Sequence, residues 1–187
     1  MHTPETPATN RRLLIRILLA TPLLLAGPVA AAEGPLIVVP PFDLIEEHPD
    51  PGLAADHERR LAAVRQQFVD GVREHGLYRV VESAAADEAV SRLRAQHAFL
   101  YNCPDCKAQL GAASGVPMVA AGWVQKVSNL ILNINVEVSE VASGRVVLVK
   151  SVDIRGNNDE SWRRGMRFLV RDLVERRDVA AGSRLRP

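Results

Sequence analysis

The apolar positions of this chain change spacing as the sequence proceeds, and the changes divide it into elements. Leu36-Ile37-Val38-Val39 is an unbroken aliphatic run closed by Pro40-Pro41, the pattern of a strand buried on both faces. From Pro51 to His75 the spacing becomes helical. Leu61, Val64, Phe68 and Val72 recur at intervals of three and four, Asp50 stands before Pro51 as a cap, and Gly76 ends the run. Tyr78-Arg79-Val80-Val81 reads as a second strand, and Ser83 or Asp87 caps a further helix carrying Val90, Leu93 and Ala98. A turn with two cysteines and a short helix ending at Gly111 or Gly115 follow.

Period two then takes over. Met118 to Val127, Leu130 to Val141 and Arg145 to Ile154 read as three strands, joined by turns at Ser128-Asn129 and Ala142-Ser143-Gly144. In the middle strand Leu130, Leu132, Ile134, Val136 and Val138 share the core face, while Asn133, Asn135, Glu137 and Ser139 share the wet one. A final helix opens at Asn158 or Asp159. Its apolar stripe is Trp162, Met166, Leu169, Val170, Leu173 and Val174, with Arg163, Arg164, Arg167 and Arg171 largely off it. These elements predict an α/β (α+β) sandwich: a mixed sheet of about five strands ending in an antiparallel meander, with helices packed on one face. The domain spans residues 33–179, and residues 180–187 read as a flexible tail.

Residues 1–32 carry a different pattern, that of a cleavable export signal. Arg11 and Arg12 form the basic start, Leu13 to Leu25 the apolar stretch, and Ala30-Ala31-Ala32 the cleavage site, with Glu33 the expected new N-terminus. Arg16, Pro22 and Pro28 break the run well short of the roughly 20 apolar residues that a membrane anchor requires. No cysteine near the cut marks a lipoprotein, and the general secretory route fits better than the twin-arginine one. The expected location is therefore the periplasm, without a stable membrane anchor. Of 23 basic and 22 acidic residues, Arg11, Arg12, Arg16 and Glu5 lie in the signal, which leaves 20 against 21 and a net charge near −1. Such a balance gives no field to attract polyanions, so nucleic acid is not an expected partner.

The element order carries a resemblance when joined to two strings, Gly122-Trp123-Val124-Gln125-Lys126-Val127-Ser128-Asn129 and Ile154-Arg155-Gly156-Asn157-Asn158-Asp159-Glu160-Ser161-Trp162. Together they resemble a family of predicted secreted bacterial proteins of unknown function, over nearly the whole mature chain. The Cys103-Pro104-Asp105-Cys106 turn fits that family too. More remotely, the topology is similar to TolB N-terminal and CsgG-like periplasmic α/β domains, which serve assembly or envelope roles. The resemblance implies fold and location, and no catalytic residues.

Candidate chemistry is sparse. Cys103 and Cys106 are the only cysteines, and in an oxidising compartment a C-x-x-C pair closes into a small disulfide. A structural staple ranks first. Pro104 at a helix start would place Cys103 at a cap, the arrangement of thiol oxidoreductases, so a thiol-disulfide redox protein is the rival reading, although Asp105 opposes a thiolate. Metal ranks last: His97 could be a third ligand, but zinc normally takes four, and Lys107 after Cys106 excludes covalent haem attachment. No metal or cofactor is therefore expected. His48, His57 and His75 show no ligand spacing and are expected on solvated surfaces. Neither phosphate-binding glycine pattern nor a G-x-S-x-G elbow occurs, so no catalytic residue is assigned.

What remains is a binding surface. Asn133 and Asn135 lie on the wet sheet face, and Trp123 belongs either to that face or to the core, which alternation alone leaves open. Arg155 and Asn157 sit in the loop before the last helix, where free backbone amides can meet an anion or simply be capped. The expected function is a non-enzymatic accessory domain that binds an envelope or periplasmic protein through Trp123, Asn133, Asn135, Arg155 and Asn157.

Overall fold

The computed structural model describes His2 and residues 34–184, so the expected export signal, His2 apart, and its expected cleavage point fall outside the described residues. Strand β1 (Leu36–Val38) is followed after Pro40-Pro41 by a second short strand, β2 (Asp43–Glu46). A single 3-10 turn capped by Asp50, whose carboxylate accepts from Gly52 N at 2.9 Å, leads into helix α1 (Ala54–Glu74). Strand β3 (Arg79–Val80) and helix α2 (Ala84–Arg94) follow, with Ser83 Oγ capping α2 at Ala86 N. Helix α3 (Pro104–Ser114) ends at Gly115, whose φ of 63° is the left-handed stop that glycine adopts without strain. The meander β4 (Met118–Lys126), β5 (Ile131–Glu140) and β6 (Val146–Arg155) precedes helix α4 (Asp159–Arg184), which continues past the expected start of the tail at residue 180.

The sheet order is β3-β1-β4-β5-β6, with β2 also paired to β4. β1 and β2 both run parallel to β4, β1 along Met118 and Val119 and β2 along Trp123 to Lys126. Pro40 and Pro41 lack backbone N–H groups and cannot continue the ladder, so one strand becomes two. That break, between apolar runs too short to register as a strand each, is why the sheet has six strands where the hydrophobic pattern predicts about five.

The sandwich is the expected one, but its helices are divided between the two sheet faces and do not all lie on one: α1 and α4 cover the first. Val64, Phe68, Val72, Trp162, Met166 and Leu169 pack there on Ile37, Ala120, Val124, Leu132, Ile134 and Val136. The helices come close because Gly71 has no side chain: a Cβ there would stand 2.7 Å from Val170 Cγ1. α2 and α3 lie on the opposite face, where Val38 and Val119 meet Ala89, Leu93, Cys106 and Leu110. Trp162 is 1 % exposed, as its place in the apolar stripe predicts. Leu130 departs from the expected core set. It is 72 % exposed, because the β4–β5 turn extends through it and β5 begins only at Ile131. No helix among the described residues is long and apolar enough to cross a membrane.

Candidate functional site

The second sheet face is only half covered. α2 and α3 pack over β1 and the first half of β4, and Lys107 of α3 reaches β5 through its ion pair with Glu137 at 2.6 Å. Beyond that point the register sets out an open surface. Trp123, Asn135 and Ser151 form one cross-strand row, Gln125, Asn133 and Asp153 the next, and Ile131 and Arg155 the last. Alternation thus places Trp123 with the amides and not in the core. Its indole is half-buried and stacks on Tyr101 at 4.7 Å, and Phe99 tilts against Tyr101 at 5.9 Å. Asn135 donates to Asn133 Oδ1 at 2.6 Å, while Gln125, Ser151, Asp153 and Arg155 are exposed beside Ile131 and Val149.

A buried carboxylate positions the aromatic stack. Asp43 is 2 % exposed, and its Oδ2 accepts the backbone N–H groups of Leu100 and Tyr101 at 2.9 Å each, while Arg94 pairs with its Oδ1 at 2.6 Å. The segment between α2 and α3 has no ladder of its own, and Asp43 takes the place of one. Sequence reasoning missed this group along with β2. The available signal was the alternation Phe42, Leu44 against Asp43, Ile45.

Of the five expected binding residues, Trp123, Asn133, Asn135 and Arg155 share this face; Asn157 does not. It turns to the other side of the sheet, where its Oδ1 accepts from Trp162 Nε1 at 3.0 Å and Arg60 Nη1 at 3.2 Å, and its Nδ2 meets His57 Nε2 at 2.8 Å. His57 corrects the expectation of a solvated histidine. It is 2 % exposed, stacked on Trp162, with Nδ1 3.5 Å from Glu46, which in turn pairs with Lys126 at 2.7 Å. His57 stands four residues before Leu61 of the apolar stripe, but its hydrogen-bond partner Asn157 lies 100 positions away and no local pattern signals it. The loop's amides are also committed: Gly156 N and Asn157 N donate to Leu130 O and Asn129 O, and Asn158 Oδ1 caps Ser161 N. Asp159 is gripped by Arg59 and Arg60, whose hydrogen bonds hold its carboxyl far below the usual range. The loop is a structural joint.

Cys103 and Cys106 form a disulfide with Cα atoms 5.2 Å apart. Cys103 is the N-cap of α3, its Sγ accepting from Cys106 N at 3.2 Å, and Cys106 is buried in the cluster under α2 and α3. His97, just beyond the end of α2, brings a ring nitrogen to within 4.8 Å of both sulfur atoms.

A cleft of about 900 Å³ lies at the C-terminal end of β1, where α/β sheets commonly hold ligands. Its cations are engaged: Arg65 donates to Val39 O at 2.9 Å, and Arg94 holds Asp43 and Pro41 O.

A family model described as "Protein of unknown function (DUF2380)" matches residues 35–174. A comparison with curated proteins finds no match. Among solved structures, the chain is similar to the LpoB C-terminal domain from Salmonella enterica, with 11 % identity over 68 % of this chain and 87 % of that one, at a TM-score of 0.43. It is similar to lipoprotein GNA1162 from Neisseria meningitidis, with 16 % identity over 76 % and 95 % and a TM-score of 0.42. TolB from Acinetobacter baumannii is matched with 12 % identity over 73 % of this chain and 26 % of that one, at a TM-score of 0.42.

Proposed function

The chain belongs to this family of unknown function, and we propose that its domain is an exported, non-enzymatic accessory module that binds a protein of the cell envelope across the open half of its second sheet face. One observation carries the reading: a half-buried Trp123, stacked on Tyr101 at 4.7 Å, lies on the same sheet face as the partly exposed Asn133, the buried Asn135 and the exposed Gln125 and Ser151, where no helix among the described residues covers the sheet. Rigid aromatic rings supply contact area with little ordering entropy, and flanking amides supply directional hydrogen bonds, the composition of protein-recognition surfaces. Arg155 and Asp153 give the rim opposite charges, which suits a mixed protein surface better than a polyanion. The location rests on the export signal at residues 1–32.

The test places a photo-crosslinking amino acid at Gln125 or Ser151 of the exported chain in living cells, with Arg171 on the outer side of α4 as the control. Discrete adducts from Gln125 and Ser151, absent at Arg171 and abolished by Trp123→Ala, are expected. Equal labelling at all three positions, or adducts indifferent to Trp123→Ala, would refute the assignment.

A further inference from the structure

We propose that reduction of the Cys103–Cys106 disulfide opens a three-ligand site for a soft monovalent metal of the copper(I) class, formed by the two thiolates and the His97 imidazole. The placement is specific. The two Sγ atoms and a His97 ring nitrogen all lie within 4.8 Å of one another, brought together by the fold of the short segment between α2 and α3. Ligand atoms about 2.0–2.3 Å from one metal stand about 3.5–4 Å apart, so side-chain rotation alone can close the set. His97 is fixed at the end of α2, its N–H donating to Leu93 O at 2.9 Å, and Cys103 is fixed as the cap of α3. Both α3 backbone amides and the helix dipole favour negative charge at Cys103.

The ligand number selects the metal. Among the described residues, no further histidine, cysteine or carboxylate joins this group, so those residues do not supply the four-ligand shell of structural zinc. Thiolate sulfur favours soft ions, and copper(I) accepts two or three ligands. Cys106 is 1 % exposed while Cys103 and His97 reach solvent, so the ion would enter from one side and be shielded on the other. The site is gated by its own chemistry. A dithiol reductant supplies two electrons and two protons, leaves as a disulfide, and yields two cysteine thiols; binding of copper(I) then displaces one proton from each thiol. The oxidised pair offers no thiolate and holds no ion. The site is independent of the sheet face proposed for partner binding, and its failure would leave that face untouched.

The purified chain, reduced with a dithiol and desalted without oxygen, is titrated with copper(I) against a chromophoric bicinchoninate competitor, beside the oxidised chain and the Cys103→Ser and His97→Gln variants. One equivalent of copper(I) is expected in the reduced chain, with a thiolate-to-metal absorption band, and none in the oxidised one. Cys103→Ser should abolish retention and His97→Gln should weaken it at least tenfold, with circular dichroism confirming that both variants fold. Reduced chain binding no tighter than Cys103→Ser, or His97→Gln binding like the parent, overturns the proposal. Tighter binding of zinc(II) than of copper(I) in a parallel titration overturns the choice of metal.

Discussion

Replacing Trp162 with alanine should cost about 4–5 kcal/mol of folding stability, a large share of the roughly 5–15 kcal/mol margin of an ordinary domain. The indole is 1 % exposed and lies nearly parallel to the His57 ring, 6.2 Å away with an interplanar angle of 16°. Aromatic-to-alanine changes in cores cost about 3–5 kcal/mol, because neighbours held in a sheet and two helices collapse only partly into the space. The Nε1 hydrogen bond to Asn157 Oδ1 adds about 1 kcal/mol at most, since that oxygen keeps Arg60 as a second donor. Trp162→Phe separates the two contributions: it retains most of the packing, loses the donor, and should cost about 1–2 kcal/mol. Urea unfolding followed by circular dichroism gives both values, and the thermal midpoint of Trp162→Ala should fall by about 10–15 °C. A loss below about 2 kcal/mol for the alanine variant would refute the placement of Trp162 as the residue that seats α4 on the sheet.

Two further outcomes follow from the packing and the charges. Hydrogen bonds from Arg59, then Arg60, keep the Asp159 carboxyl ionised far below its usual range, so its contribution is complete above about pH 4 and fades as pH falls toward the folded value. Asp159→Asn should therefore lower the thermal midpoint at neutral pH, and its gap from the parent should narrow as the pH is lowered from about 4 to about 2; a gap that does not narrow contradicts the pairing. Gly122→Ala should cost about 1–3 kcal/mol, because the new Cβ would stand 2.2 Å from Phe42 Cε1. Phe42→Leu in the same chain should recover part of that loss in urea unfolding, and strict additivity of the two changes would show that the ring is not the obstacle.

What the sequence discloses depends on the range over which the causes act. α1, α4 and the meander are legible because their apolar period is set by contacts with one neighbouring layer, repeated over many residues. Trp123 could be placed on one of two faces by alternation, but choosing between them needed the β4–β5 register and Tyr101, which comes from an irregular segment. β2 was missed, since the alternation of Phe42 and Leu44 against Asp43 and Ile45 spans too few positions beside two prolines to stand out as a period. His57 and Asn157 share one buried network although nothing near either residue signals the other, and only the fold joins β2, α1 and the β6–α4 loop around them. The cysteine pairing was readable from spacing alone; the approach of His97 was readable as nearness in sequence, but not as geometry.

Asp43 has a consequence for how the molecule communicates internally. The stretch between α2 and α3 carries His97 at its beginning, Tyr101 near its middle and Cys103 at its end, and two of its backbone amides hang on this one carboxylate. The ring that stacks on Trp123 and a cysteine of the disulfide are thus beads on the same short string, tied at one knot. Because one carboxylate holds the backbone of Leu100 and Tyr101, the indole stacked on Tyr101 has a second use as a built-in fluorescent gauge of whether that segment is seated.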